Sequence, residues 1–475
     1  MSGVFHSYDI RGIFGKEIDV TFAQKLGVAF VEQYKPKVVV VGHDERIGSD
    51  VLSSALVDTL LAYEIKVIDI GLCTTPMVWH AVNMHATDGG IMVTASHNPK
   101  EYVGFKLCKK FAIPIGYESG LSDIEHRINT ANTSFEATSK SNRLQTSEQE
   151  HYKAFAELLI RYVPDQTPLK IIADCSSGAV APILVSLFAG TRHEIILIND
   201  EPDGNFPAHE PNPLIKSTTD ELSARVITEN ADFGVIFDGD ADRVVFVDEK
   251  GVRIRPDLLT ALLAQQLLNR EFLSKLDKKN KIKIKDRNIK TKLQTETPII
   301  LADLRSSKSV EEIVKENGGQ LFLTKVGRPY IINQLRATKG LLAGELSGHY
   351  YFSDFYCCDD GVRALLEVMQ LIAVRQQKMS EIIFSISTYF SSGETNFVVN
   401  EPALVLDAIK QEYDALKPEK ILDLDGVSIY FENFWFNVRG SNTEPLLRVN
   451  LEADDKKILE REFAALLKIV KRFMK

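Results

Sequence analysis

Short apolar runs that end in polar residues recur three times along the first 350 residues. The first run lies at 37–44, 169–177 and 298–306, the second at 65–71, 193–200 and 318–327, and the third at 89–99, 231–243 and 339–349. Segments of helical character, such as 53–63 and 221–230, separate these runs. Because strands that alternate with helices form mostly parallel sheets, the pattern predicts three tandem α/β units with mixed, mostly parallel sheets.

After about residue 376 the pattern changes. Short alternating strands are predicted at 427–431, 435–440 and 446–453, and apolar residues at helical spacing follow from 454 to 475. This part is expected to form a smaller α+β domain. We place the four domains at 1–150, 151–252, 253–375 and 376–475. The Lys-rich segment 275–294 shows no clear periodicity, and we expect it to form a solvated, mobile insertion.

The formal net charge of −9 argues against a nucleic-acid-binding surface, which needs a basic face. Any anionic ligand must therefore be held by local Arg and Lys side chains. The five cysteines form no C-x-x-C pair, and we expect reduced thiols that serve packing. The N-terminus has no signal-peptide pattern, and no apolar run approaches the roughly 18 residues of a membrane helix. We expect a cytoplasmic protein without membrane association.

The most distinctive loop of the first unit is 94–99, which follows the apolar run 91–93. Its Ser96 hydroxyl stands at the C-terminal end of a predicted strand, where open α/β sheets bind their ligands. An ordinary Ser-His-Asn-Pro turn accounts for the same residues. The hexapeptide alone therefore leaves its function open.

In the second unit, Asp238, Asp240 and Asp242 alternate with small residues after a predicted strand. Three carboxylates that converge from a tight loop suit a hard divalent cation, and Mg²⁺ in particular combines few carboxylates with a substrate phosphate. Together with Glu249 they also match the spacing of a calcium EF-hand loop. That alternative fails because Arg243 stands where the EF-hand loop requires Gly.

Two further loops carry candidate ligand-binding chemistry. Residues 344–349 bring a carboxylate, a hydroxyl and an imidazole together, which suits a hydroxyl-rich ligand, although a glycine-flanked turn explains them as well. Residues 439–445, with Arg448 beyond them, combine guanidinium groups with a hydroxyl and amide loop that suits a phosphate. A surface turn between two strands is the alternative for this last loop.

Taken together, the four loops resemble the α-D-phosphohexomutase family, and most closely its bacterial phosphomannomutase/phosphoglucomutase branch. The resemblance begins at 8–12 and ends at 439–445, so it covers essentially the whole chain. It implies three homologous α/β units and a C-terminal domain around a central cleft. It further implies an isomerase that moves phosphate reversibly between C1 and C6 of mannose, or of glucose as a second candidate.

The resemblance also implies roles for individual residues. Ser96 would carry the transferable phosphate, with Mg²⁺ between it and the carboxylates of Asp238, Asp240 and Asp242. The other catalytic residues that it implies are Arg11, His97, Lys106, Arg243 and His349, of which Lys106 and His349 are candidates for proton transfer. The substrate-binding residues that it implies are Tyr8, Arg305, Lys325, Arg328, Glu345, Ser347, Arg439, Ser441, Asn442, Thr443 and Arg448.

In the mechanism that the resemblance implies, the phosphoserine gives its phosphate to a hexose 1-phosphate. The resulting hexose 1,6-bisphosphate, which also acts as activator, turns round and returns its other phosphate to Ser96. Positioning and electrostatic stabilisation dominate such phosphoryl transfers. The expected partners are small hexose phosphates, and the expected assembly is a monomer or a dimer.

Some features leave the sugar and the reaction class open. Arg328 stands where this branch often carries a sugar-contacting His, which puts the sugar preference in question. Asn442 favours the mannose/glucose branch over the glucosamine branch. A Mg²⁺-dependent sugar phosphatase with Ser96 as nucleophile is one alternative, but it would not need the second phosphate site at 439–445. A non-catalytic sugar-phosphate-binding protein is the other.

Overall fold

The computed structural model describes residues 3–130, 143–145, 147–165, 167–285, 297–399, 401–440 and 446–474. Two compact units divide the chain. The first comprises Met1–Pro256 and Ser347–Ile382, and the second comprises Asp257–Leu346 and Ile383–Lys475. No helix in the described ranges is long and apolar enough to cross a membrane.

The first unit begins with a seven-stranded mixed sheet. Its strands are β1 (Ile10–Ile13), β2 (Val38–His43), β3 (Lys66–Leu72), β4 (Gly89–Val93), β5 (Tyr102–Lys109), β6 (Ile113–Pro114) and β7 (Arg143–Gln145), and its helices are α1 (Val20–Tyr34), α2 (Ser49–Ala62), α3 (Thr75–Met84) and α4 (Leu121–Thr130). The strand order is β1-β5-β4-β2-β3-β7, and β6 pairs with β5. The valines of β2 lie in a central parallel strand whose two faces are covered, which explains its continuous apolar run.

A four-stranded sheet follows in the same unit. Its elements are α5 (Glu148–Leu159), β8 (Lys170–Asp174), α6 (Ala181–Phe188), β9 (Glu194–Ile198), α7 (Asp220–Thr228), β10 (Phe233–Phe237) and β11 (Val244–Asp248). Parallel β9, β8 and β10 stand side by side, and β11 pairs with β10 antiparallel. A compact apolar core that includes Ile172, Leu222 and Val226 joins α7 to the sheet.

The third repeat lies mainly in the second unit. Its elements there are α8 (Pro256–Lys285), β12 (Ile299–Asp303), α9 (Lys308–Glu316), β13 (Gln320–Thr324), α10 (Arg328–Thr338) and β14 (Leu342–Gly344). Strand β12 is parallel to both β13 and β14. The chain continues with β15 (Tyr350–Phe352), β16 (Cys358–Asp359), α11 (Gly361–Arg375) and α12 (Met379–Phe384). Strands β15 and β16 form an antiparallel pair in the first unit.

The C-terminal part is an antiparallel sheet with two helices. Its elements are β17 (Phe390–Ser391), β18 (Thr395–Val398), α13 (Pro402–Asp414), β19 (Lys420–Leu422), β20 (Val427–Tyr430), β21 (Phe434–Gly440), β22 (Leu446–Ala453) and α14 (Lys456–Val470). The order is β17-β22-β21-β20-β19, with β18 paired to β22. Alternating residues such as Phe436, Val449 and Leu451 form the core against Ile409 of α13 and Leu466 of α14.

The predicted threefold repeat is confirmed by the strand order. In each repeat the first strand lies between the second and the third, as β3-β2-β4, β9-β8-β10 and β13-β12-β14. In each repeat the third strand leads into one of the candidate loops. Helix α8 continues to Lys285 and so extends into the Lys-rich segment 275–294, for which the sequence analysis expected a solvated, mobile insertion and named no helix. Residues 286–296 lie outside the described residues.

Candidate active site

The loop that follows β4 brings the Ser96 hydroxyl against the carboxylate of Asp238, which follows β10. Ser96 Oγ donates to Asp238 Oδ2 over 2.9 Å, and both side chains are buried. The backbone of Ser96 has φ of +54°, a left-handed conformation that is uncommon for serine. The Ser96 N–H donates to Thr94 Oγ1 (2.8 Å), which fixes this turn. Strained residues of this kind cluster at functional sites, where the surrounding structure holds them in place.

Arg46, which follows β2, binds the backbone of the serine loop, residues 94–102. Its guanidinium donates to the backbone oxygens of Ser96 (2.5 Å), Asn98 (2.6 Å), Pro99 (2.9 Å) and Tyr102 (3.0 Å). The side chain is only 2% exposed. A guanidinium is a rigid fork of donors, so these four bonds fix the path of the loop rather than a single atom.

Arg11 of β1 contacts the other side of the same loop. Its guanidinium pairs with Asp9 Oδ2 (2.7 Å) and donates to the Ala95 carbonyl (3.1 Å) and to Asn98 Oδ1 (2.5 Å). Arg11 and Arg46 together place two positive charges beside Ser96. These charges suit a serine that carries a phosphate of about −1.5 to −2 charge at neutral pH.

Lys106 of β5 lies between two of the three aspartates. Its ammonium contacts Asp240 Oδ2 (2.5 Å) and Asp242 Oδ2. Burial alone would lower the pKa of Lys106, but the carboxylates of Asp240 and Asp242 outweigh it and raise the pKa. Lys106 is therefore protonated in this arrangement.

The three aspartates fit a divalent cation. One oxygen from each of Asp238, Asp240 and Asp242 lies within 4.8 Å of the others, and all three residues are fully buried. The Oδ1 atoms of Asp240 and Asp242 accept no hydrogen bond from any described residue. Burial raises the pKa of Asp238 well above its usual range, and the charges of Asp240 and Asp242 add to the effect. Mg²⁺ prefers oxygen ligands, and it would add positive charge to a group of carboxylates that Lys106 balances only in part.

Arg243 and His349 form a further hydrogen-bonded pair in the first unit. Arg243 Nε donates to His349 Nε2 (2.9 Å), so that nitrogen carries no proton and the neutral ring is protonated at Nδ1. His349 Nδ1 donates to the Asp242 carbonyl (3.1 Å) and lies 2.9 Å from Asp359 Oδ2. The Asp242 carbonyl and the Arg243 guanidinium therefore fix the tautomer, and the Asp359 carboxylate lies beside the protonated nitrogen.

His97 lies beside Ser96, with its Nδ1 3.4 Å from Ser96 Oγ. Burial lowers the pKa of His97 well below its usual value, and the charges of Arg243 and Arg11 add to this effect. His97 is therefore neutral at physiological pH. It can share a hydrogen bond with the serine oxygen, but it contributes no positive charge.

The second unit contains a cluster of arginines around Glu394. Arg305, which follows β12, binds Asp303 through Nη2 (2.7 Å) and Glu394 through Nη1 (3.1 Å). Arg439 of β21 and Arg448 of β22 also contact Glu394, at 3.4 and 3.2 Å. Three of the predicted substrate-binding residues therefore meet in one place.

The other predicted substrate-binding residues are placed as follows. Glu345 is buried in the second unit, and Ser347 is half-buried in the first. Lys325 is exposed beside the Tyr330 ring, and Arg328 begins α10. Tyr8 is half-buried in the loop before β1. The predictions for Ser441, Asn442 and Thr443 lie outside the described residues.

Four site residues escaped the sequence analysis: Arg46, Thr75, Asp359 and Glu394. Thr75 Oγ1 donates to Asp240 Oδ2 (2.5 Å), and its N–H donates to the Asp240 carbonyl. A signal for Arg46 existed, since in each repeat an aspartate stands at the end of the first strand or directly after it, and its Oδ1 accepts the N–H of the residue two positions on. That second residue is an arginine in the first repeat and again, as Arg305, in the third.

The chain is similar to known proteins along essentially its whole length. Models described as phosphoglucomutase/phosphomannomutase alpha/beta/alpha domains I, II and III match residues 2–134, 149–251 and 256–389, and the C-terminal domain model matches 394–469. A phosphomannomutase of Methanocaldococcus jannaschii is 35% identical over 97% of this chain and 95% of its own length. One of Escherichia coli K12 is 33% identical over 98% of each chain. A phosphoglucomutase/phosphomannomutase family protein from Burkholderia thailandensis superposes with a TM-score of 0.85 at 26% identity, covering 99% of this chain and 98% of that structure.

Proposed function

The chain belongs to the phosphoglucomutase/phosphomannomutase family of phosphohexomutases, and we propose that it interconverts mannose 1-phosphate and mannose 6-phosphate through a phosphorylated Ser96. The observation that carries this proposal is the 2.9 Å hydrogen bond from Ser96 Oγ to Asp238, inside a cluster of three aspartates and Lys106. The name phosphomannomutase of the relatives at 33–35% identity supports mannose as the sugar.

In the proposed mechanism, Ser96 carries the phosphate at the start and at the end of each cycle. Arg46 and Arg11 hold the loop backbone, so Ser96 Oγ keeps its position while the phosphorus passes to a sugar hydroxyl. Asp238, Asp240, Asp242 and the Ser96 phosphate would hold Mg²⁺, which when bound neutralises charge on the transferring group. Charge neutralisation and positioning account for most of the catalysis of phosphoryl transfer.

His349 is the proposed acceptor of the proton from the attacking hydroxyl. Its Nε2 lone pair faces Arg243, so acceptance requires the Arg243 bond to give way to one from the sugar. The Asp242 carbonyl accepts the proton on Nδ1, and the Asp359 carboxylate, 2.9 Å from Nδ1, would stabilise the ring once it becomes charged. Protonated Lys106 serves as an acid and as a positive charge near the departing oxygen. The same residues act in the reverse direction after the bisphosphate has turned round.

We further propose that the phosphate that is not reacting binds Arg305, Arg439, Ser441, Asn442, Thr443 and Arg448. Tyr8, Lys325, Arg328, Glu345 and Ser347 would contact the sugar or its phosphates. Hexose 1,6-bisphosphate would be the activator, and the protein would work in the cytoplasm as a monomer or a dimer. The proposed domain limits remain 1–150, 151–252, 253–375 and 376–475.

The test is interconversion of mannose 1-phosphate and mannose 6-phosphate by purified protein with Mg²⁺ and a trace of hexose 1,6-bisphosphate. Ser96→Ala should lower turnover on the order of 10³-fold or more, since the nucleophile is removed. Ser54→Ala, an exposed serine of α2, should leave turnover unchanged. Full activity of Ser96→Ala would contradict the proposal.

Glucose phosphates run in parallel decide the sugar. A higher kcat/KM for glucose phosphates than for mannose phosphates would replace phosphomannomutase by phosphoglucomutase. Sustained release of inorganic phosphate without isomerisation would instead indicate the sugar phosphatase.

A further inference from the structure

Glu394 is a carboxylate held by three arginines. Arg305 Nη1 lies 3.1 Å from Oε2, Arg439 Nη2 lies 3.4 Å from Oε2, and Arg448 Nη1 lies 3.2 Å from Oε1. All four residues belong to the second unit. The side chain of Glu394 is 21% exposed, so part of it remains accessible to solvent.

The cluster carries more positive charge than these contacts balance. Three guanidinium groups meet two carboxylates in direct contact, because Arg305 is also paired with Asp303. Burial and the charge of Arg305 lower the pKa of Arg439, because both disfavour its protonated guanidinium. The Nε atoms of Arg439 and Arg448 are buried and donate to no acceptor among the described residues. The cluster therefore has positive charge left over for an anion that carries more charge than a carboxylate.

Glu394 and a phosphate need the same donors. A phosphate binds an arginine best through a pair of N–H groups of one guanidinium, and the Nη groups of Arg439 and Arg448 already hold the carboxylate. A phosphate dianion brings more acceptors and more charge than a carboxylate. When the phosphate takes these Nη groups, the carboxylate loses them.

We propose that Glu394 is a built-in competitor for the phosphate site of this arginine cluster, and that the non-reacting phosphate of the substrate displaces its carboxylate from the arginines. The inference rests on the proposed function, because that function requires the bisphosphate to leave this site and turn round in every cycle. A carboxylate that returns to the arginines replaces the lost contacts and lowers the barrier to phosphate departure. Glu394 thus limits phosphate affinity in favour of turnover.

The experiment measures binding of inorganic phosphate by titration calorimetry, without Mg²⁺ and without sugar. Glu394→Gln removes the charge at constant shape and should tighten phosphate binding about tenfold, because charged hydrogen bonds of this kind differ by that order. Glu419→Gln, an exposed glutamate of the same domain, removes the same charge and should leave the affinity unchanged. Glu394→Asp keeps the charge but shortens the reach, and it should lie between wild type and Glu394→Gln.

Arg439→Gln identifies the site, since it should weaken phosphate binding in both the wild-type and the Glu394→Gln background. Unchanged or weaker phosphate binding by Glu394→Gln would overturn the proposal, as it would mean that the carboxylate merely orients the arginines. Absence of measurable binding to every variant would overturn it too. If Glu394→Gln fails to fold, Glu394→Asp decides: tighter phosphate binding than in wild type supports the proposal, and unchanged or weaker binding overturns it. Phosphate binding is read without turnover, so failure of the mutase assay and failure of this proposal are distinguishable.

Discussion

At the residue scale, the buried side chain of Arg46 holds the backbone around Ser96 in its conformation. Arg46 supplies four hydrogen bonds to backbone oxygens within a seven-residue stretch, and its Nε lies 3.3 Å from the buried Asp44 carboxylate. Removal of this guanidinium would leave four carbonyls without their donor and a carboxylate without its counter-charge. Both changes are costly inside a protein.

Arg46→Lys should therefore destabilise the protein by about 2–4 kcal/mol, because a single ammonium cannot reproduce the fork of bonds. Turnover should fall as well, since the φ of +54° at Ser96 is no longer enforced. Denaturant unfolding measures the first effect and the mutase assay the second. Arg127→Lys, in an exposed pair with Glu32, is the control and should change stability by less than about 0.5 kcal/mol. Equal stability of the two variants would refute this role of Arg46.

Glu394 makes a prediction about acid stability. Burial opposes its charged form, but Arg305, Arg439 and Arg448 outweigh burial and lower the pKa of Glu394 to about 2. The folded-state pKa lies below the unfolded value, so this group stabilises the fold above the unfolded pKa near 4.5, and that stabilisation is lost as the pH falls toward 2. The difference in unfolding free energy between wild type and Glu394→Gln should be constant above about pH 5 and shrink below it. A difference that does not change with pH would contradict this assignment.

At the scale of elements, the third strand of each repeat leads to a chemically different loop. Strand β4 leads to Ser96, β10 to Asp238 and β14 to Glu345, while the order of first, second and third strands is the same in each repeat. A shared element thus presents a serine hydroxyl, a group of aspartates and a buried glutamate at corresponding positions. Close backbone contacts between neighbouring strands then determine the position of each loop.

Gly104 is one such contact, on β5 directly opposite Arg11 of β1. A Cβ at Gly104 would stand 2.1 Å from the Ile10 carbonyl oxygen and 2.9 Å from that of Thr94. Gly104→Ala should force these backbones apart, destabilise the protein by about 1–3 kcal/mol and displace Arg11 and the serine loop. We expect lower kcat together with a lower unfolding midpoint. An alanine variant with wild-type stability and kcat would show that the strands tolerate the extra methyl group.

At the scale of the molecule, the two compact units carry different ligand chemistry. The three aspartates proposed to bind Mg²⁺ belong to the first unit, whereas Arg305, Arg439, Arg448 and Glu394 belong to the second. Each unit has its own apolar cores. Because a ligand that binds only the folded state stabilises it in proportion to the logarithm of its concentration, each ligand should stabilise its own unit.

Mg²⁺ at about 100 times its Kd should add about 2.7 kcal/mol to the unit that binds it. Hydrogen exchange followed peptide by peptide should show Mg²⁺ protecting β10 and β11, and inorganic phosphate protecting β21 and β22. Asp240→Asn should abolish the response to Mg²⁺ and leave the response to phosphate intact. Removal of Mg²⁺ with a chelator should reverse the first effect only. Loss of both responses in Asp240→Asn would contradict separate sites.

The amino-acid sequence by itself determined the threefold repeat, the C-terminal α+β domain and the loops that hold Ser96 and the three aspartates. These features follow from local patterns, since buried strands are apolar and the polar residues at their ends stand out against them. Helix α8 was not predicted over 275–285 because this Lys-rich stretch of sequence lacks the periodic apolar residues that indicate a helix.

Only the tertiary structure decided which side chains meet. Arg46 reaches Ser96 across 50 residues and Arg305 reaches Glu394 across 89, and neither pairing leaves a local pattern in the sequence. The orientation of His349 by Asp359 is likewise set by where β15 and β16 run. Sequence periodicity reports burial, whereas contacts between distant charges depend on chain topology. The site is therefore visible in the sequence as a set of loops and becomes an arrangement of charges only in the folded chain.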